Sequence, residues 1–154
     1  MTPEQLAARR AKQRDRDRRR LRGDPALRAR RAADHERWRN GLPGKFTIYA
    51  RDAARRAAKR GLPCELTRGD LLKLWKMQRG RCAYSGRVMT PRCNRLNTVS
   101  VERIDPSRGY TLDNVVLICD AVNTAKNDLS LTEYVALCRD VATRNPENAQ
   151  QVTE

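Results

Sequence analysis

Glu102, Arg103 and Asp105 place two carboxylates and a guanidinium side by side, and Asn114, Asn123 and Lys126 follow in the same quarter of the chain. Glu102 offers a hard anionic oxygen and Asn123 a neutral one. With phosphate oxygens and water completing the shell, that donor pair could hold Mg²⁺ or Mn²⁺. Arg103 keeps its proton at any physiological pH, so it can clamp an anion but cannot serve as a general base. Asp105 can accept a proton, and it falls on the side of Arg103 if the strand continues that far; it is the candidate base, with Tyr110 as a second candidate. Arg108 and Lys126 read either as phosphate contacts or as ordinary surface charges.

The elements that must position these groups are legible in the pattern around them. Val99, Val101 and Ile104 alternate with Ser100, Glu102 and Arg103, a β-type run that breaks at Pro106 and Gly109. A second apolar run, Val115 to Ile118, follows Asn114, and from Asp120 the apolar residues Ala121, Val122 and Ala125 take up helical spacing. Strand, loop, strand, helix is the simplest reading. Such a ββα unit can bring Glu102, at the end of the first strand, near Asn123 on the first turn of the helix.

On these residues the segment resembles the HNH, or His-Me finger, nucleases. The match falls on Glu102-Arg103-Ile104-Asp105-Pro106, Gly109-Tyr110, Asn114-Val115, Cys119, and Asn123 with Lys126, within roughly residues 64 to 140. It is closest to the phage-type branch with a Ser-x-Asp-Arg-Ile-Asp signature. Two departures stand out: Glu102 replaces the usual metal-binding Asp, and Arg103 the general-base His. The resemblance implies an α+β fold with a ββα-metal core and one divalent cation held by Glu102 and Asn123. It further implies hydrolysis of phosphodiester bonds, with Arg103 clamping the phosphate and Asn114 tethering the loop through hydrogen bonds to its backbone. In many relatives two CxxC pairs hold a structural zinc. Here Ser85 and Val122 take the place of one cysteine in each, so a zinc would have to recruit Cys93 or Cys64. Cys82 and Cys119 read instead as buried small residues.

Composition frames this unit. Thirty-three Lys and Arg against 18 Asp and Glu give the 154 residues a formal charge of +15, and 39% hydrophobic content with a single Phe predicts a small core. Such a chain is built to meet a polyanion, DNA in the first place and RNA as the alternative. No apolar run is long enough for a membrane span, no signal-peptide core is present, and five scattered cysteines do not form a secreted disulfide framework. The expectation is a cytoplasmic protein, phage-encoded or bacterial.

Residues 1–43 predict an Arg-rich helical arm, nucleic-acid binding or partly disordered, in two pieces broken at Gly23-Asp24-Pro25; Arg18, Arg19 and Arg20 are its candidate contacts. His35, the only histidine, reads as a surface residue. The stretch 44–143 predicts the nuclease-like domain, its ββα core at about 98–128. Gly41 to Gly44 reads as a linker or turn, and Phe46 to Arg60 as a helix stopped by Gly61 and Pro63. Thr67 opens a second helix through a capping box with Asp70, and Trp75 anchors it in the core. Ser130 and Glu133 cap a third, whose face of Tyr134, Val135, Leu137, Cys138 and Val141 is expected to close the back of the core, with Cys138 a core thiol. Residues 144–154 read as a flexible tail. The chain as a whole reads as a metal-dependent DNA endonuclease, set against a non-catalytic nucleic-acid-binding accessory protein on the same fold and, third, a basic protein that coats nucleic acid through the arm alone.

Overall fold

The computed structural model describes residues 2–94 and 96–150. The fold is α+β, mainly helical with one small sheet, and its contacts divide it into two units, Met1–Lys45 and Phe46–Glu154.

In the first unit, α1 (Pro3–Gly23) and α2 (Pro25–Asn40) meet at Asp24, whose side chain accepts from the Leu27 amide and so starts α2 with Pro25 at its first position. No residue of α2 is buried, as expected of a segment with so few apolar positions. His35 is exposed and lies 5.9 Å from the Trp38 ring, between centroids.

Of the expected linker or turn at 41–44 only Gly41, which caps α2, lies outside a helix: α3 runs Leu42–Arg60. Proline costs no hydrogen bond in a first turn, and at Gly44 a Cβ would stand 2.1 Å from the Trp38 carbonyl oxygen. The two residues read as punctuation therefore permit a tight corner after α2. At its far end α3 stops as predicted, with Gly61 in the left-handed region at φ +65°.

The second unit is built on Phe46, Leu71, Leu117 and Ile118, none of them exposed to solvent. Thr67 and Asp70 form the predicted capping box at the start of α4 (Arg68–Met77), which buries Leu71 and Leu74; Trp75 meets Phe46 edge-on at 6.1 Å. Strands β1 (Val99–Arg103) and β2 (Val115–Cys119) pair antiparallel, Glu102 opposite Val116 and Arg103 opposite Val115. The helix α5 (Asp120–Lys126) follows directly and packs across both strands, while α4 packs on β2.

After α5 come α6 (Leu131–Arg144) and α7 (Pro146–Gln150). The Ser130–Glu133 capping box is present, but α6 does not close the core: none of its residues is buried, Leu137 and Val141 are about half exposed, and Cys138 is exposed rather than a core thiol. Amphipathic spacing marks an apolar face without saying what covers it. The expected tail contains α7, and its last four positions, 151–154, lie outside the described residues, as does Arg95 of the loop before β1.

Candidate functional site

One buried side chain ties the loop between the strands at three points. Asn114 is completely buried; its Nδ2 donates to the carbonyls of Asp105 (3.0 Å) and Gly109 (2.8 Å), and its Oδ1 accepts from the Asp105 amide (2.9 Å). A carboxamide suits the place because it supplies two donors and an acceptor at once. Gly109 is required beside it, since a Cβ there would lie 2.1 Å from the Pro63 carbonyl oxygen.

That loop positions Arg103. Its Nη1 donates to the Arg108 carbonyl (3.0 Å), and its guanidinium carbon lies 5.0 Å from the centre of the Tyr110 ring. Held from two sides and 9% exposed, Arg103 faces a cleft of about 810 Å³ with few conformations open to it.

Glu102 and Asn123 line the same cleft. Alternation along β1 puts Ser100 on the face of Glu102, and the Ser100 hydroxyl oxygen accepts from Asn123 Nδ2 at 3.1 Å. The carboxamide nitrogen is thereby engaged, and among the described residues its oxygen has no hydrogen-bond partner. Glu102 Oε1 is taken by Lys126 Nζ at 2.9 Å, which leaves Oε2 as the second available oxygen. Two such donors, with phosphate and water, fit the way Mg²⁺ is held: by one or two protein oxygens beside its substrate. Among the described residues no group of three His, Cys, Asp or Glu side chains clusters as a metal site of its own.

Two expected roles change. Lys126 is not an ordinary surface charge: it is 8% exposed, ion-paired to Glu102, and donates to the Leu129 carbonyl at 2.7 Å. Asp105 does not stand beside Arg103, because β1 ends at Arg103; its carboxylate turns back to accept from the amide (2.8 Å) and hydroxyl (2.6 Å) of Ser107. Those bonds hold it below the usual carboxylate range, which makes it a poorer base. Arg108 pairs with Asp113 in solvent, and in the first unit Arg19 pairs with Asp15 at 2.9 Å, with Arg18 and Arg20 exposed.

Sequence reasoning passed over Arg56, Arg60 and Tyr84 as cleft residues. The first two sit one helical turn apart on α3, and no local pattern tells which basic residues of a helix will meet a cleft made elsewhere in the chain. Burial, and then the nearby charges of Glu102 and Cys82, push the Tyr84 hydroxyl up.

Behind the cleft, Cys82 and Cys119 are buried, and Cys82 Sγ accepts from the amides of Cys119 (3.3 Å) and Ser85 (3.4 Å). Burial acts to raise the Cys82 thiol, yet the hydrogen bonds from Ser85 and the Cys119 amide outweigh it and bring the thiol down; Cys119, raised chiefly by burial, is pushed up to about 11. The two thiols fasten the 82–87 turn to the end of β2.

The chain is similar to an uncharacterized protein of Acanthamoeba polyphaga mimivirus, 31% identical over 87 residues that make up 56% of this chain and 15% of that protein. No family model and no solved structure matches. Among the described residues no helix is long and apolar enough to cross a membrane.

Proposed function

We propose that this chain is a metal-dependent endonuclease of the ββα-metal, HNH-like type, hydrolysing phosphodiester bonds in DNA. One observation carries the reading: a strand-end carboxylate, Glu102, and a helix carboxamide, Asn123, share a cleft with three arginines. Arg103 holds a non-bridging phosphate oxygen and steadies charge that grows on it. Arg56 and Arg60 fix the neighbouring backbone phosphates, contacts that position the substrate without reading its sequence. Glu102 and Asn123 supply oxygen ligands for one divalent cation, Mg²⁺ or Mn²⁺. The chemistry such a cation supplies is the offset of charge on the oxygens of the pentacoordinate phosphorus.

The test is nicking of supercoiled plasmid with Mg²⁺, Mn²⁺ or EDTA, alongside Asn123→Ala and Arg103→Ala. We expect conversion to open circles only with the metals and a rate at least tenfold lower in both variants, toward the roughly 10²–10³ that follows removal of a charge-stabilising group. Equal nicking in EDTA would sink the metal reading. The presence of Arg103 where the HNH nucleases that the segment resembles carry the general-base His favours one second reading, a catalytically inactive DNA- or RNA-binding protein. It predicts binding without nicking under every condition.

The arm adds affinity through phosphates under either reading. Replacing Arg18, Arg19 and Arg20 by Ala should make the plot of log binding constant against log salt shallower by up to about 2.7, near 0.9 for each phosphate that the arm no longer neutralises. An unchanged slope on duplex DNA would remove these three from the interface.

A further inference from the structure

The ion pair inside the cleft bears on when the site takes up its cation. Glu102 and Lys126 side chains are 16% and 10% exposed. Besides Glu102 Oε1, Lys126 Nζ reaches the Leu129 carbonyl at 2.7 Å and the Asn127 carbonyl at 3.5 Å, so all three ammonium protons have acceptors. Both carbonyls belong to the turn just after α5, which Asn127 enters at φ +46° and which closes on itself through the Leu129 amide and the Lys126 carbonyl (3.0 Å). The ammonium is therefore held by the backbone, and it cannot swing into solvent without giving up every partner.

We propose that Lys126 couples cation binding to nucleic-acid binding: its fixed positive charge occupies Glu102 in the free protein, so a divalent cation binds weakly until phosphate enters the cleft. The inference rests on the reading of Glu102 and Asn123 as cation ligands. A doubly charged ion at Glu102 shares that carboxylate with an ammonium already within hydrogen-bond distance, and in a half-buried site the repulsion between them is poorly screened. The rest of the lining does not offset it. Arg56, Arg60, Arg103 and Lys126 face Glu102, Asp128 and Glu133, and Glu133 is committed to capping α6 at Ser130. Phosphodiesters supply the missing negative charge. By linkage the cation must then tighten nucleic-acid binding by the same factor as nucleic acid tightens the cation.

Two measurements decide it. Mn²⁺ binding to the free full-length protein, followed by the loss of the free-ion electron paramagnetic resonance signal, should be weak in wild type. It should be about tenfold tighter in Lys126→Gln, within the roughly 5- to 150-fold typical of coupled sites, and unchanged in Lys126→Arg, which keeps the charge. Binding of a labelled DNA duplex to wild type, by fluorescence anisotropy, should tighten about tenfold when Ca²⁺ replaces EDTA, and less in Lys126→Gln. If Lys126→Gln binds Mn²⁺ no better than wild type, the coupling role is overturned. If Lys126→Gln does not fold, the duplex measurement on wild type stands alone, and equal affinity in Ca²⁺ and EDTA overturns the proposal. A distinct outcome, no Mn²⁺ bound by any of these proteins with or without duplex, takes away the cation reading of Glu102 itself and this inference with it.

Discussion

Glu102→Gln is expected to lower metal-dependent plasmid cleavage by about 10²- to 10³-fold, the range for loss of a group that stabilises transition-state charge. Glutamine is nearly isosteric and keeps an oxygen, but it is neutral, and a hard divalent cation is held by charge as much as by geometry. The same change strips Lys126 of its counterion in a place where the pair is 10% and 16% exposed. An unpaired buried charge costs roughly 3–5 kcal/mol, so the single variant will lose stability together with activity. The double variant Glu102→Gln with Lys126→Met separates the two effects. Removing both charges should recover most of the lost stability, measured by urea unfolding, and none of the cleavage. A double variant that regains activity along with stability would show that Glu102 served only the fold.

Where the neighbours of a residue lie within a few positions in the chain, the sequence could be read. The break at Gly23-Asp24-Pro25, both capping boxes and the left-handed stop at Gly61 depend on partners three or four residues away, and the structure has each of them. The strand, strand, helix order was legible because an alternating run at Val99–Ile104 and a short continuous apolar run at Val115–Ile118 give way to helical spacing from Ala121. What escaped depends on distant partners. Nothing near Lys126 marks it as buried; its counterion is 24 residues upstream on a neighbouring strand. Asp105 falls beside Arg103 only if the strand continues, whereas Ser107 draws its carboxylate into a local turn, a competition that Asp enters readily. The apolar face of α6 reads as part of the core because spacing records which side is greasy, not where the helix is docked.

Asn114 shows a local motif and a tertiary role in one residue, and its replacement should have the largest effect on stability. Asn114→Ala leaves the Asp105 amide and the carbonyls of Asp105 and Gly109 without partners in a fully buried spot. At about 1–3 kcal/mol for each buried group left unsatisfied, with some relief from entering water, a loss of about 3–5 kcal/mol is expected, a large part of what a domain of this size possesses. Asn114→Asp should be worse still. The carboxylate retains the acceptor for the Asp105 amide but turns negative oxygens toward two carbonyls, and it carries a charge into the interior. Stability should therefore fall in the order Asn, Ala, Asp. Urea unfolding followed by Trp75 fluorescence, in a Trp38→Phe background so that only the second unit is observed, measures it. Because the same loop presents the Arg108 carbonyl that holds Arg103 at 3.0 Å, cleavage per folded molecule should fall with the tether. If Asn114→Asp matched wild type in both stability and cleavage, its two donated hydrogen bonds would not be what holds the loop, and the arrangement of Arg103 would need another cause.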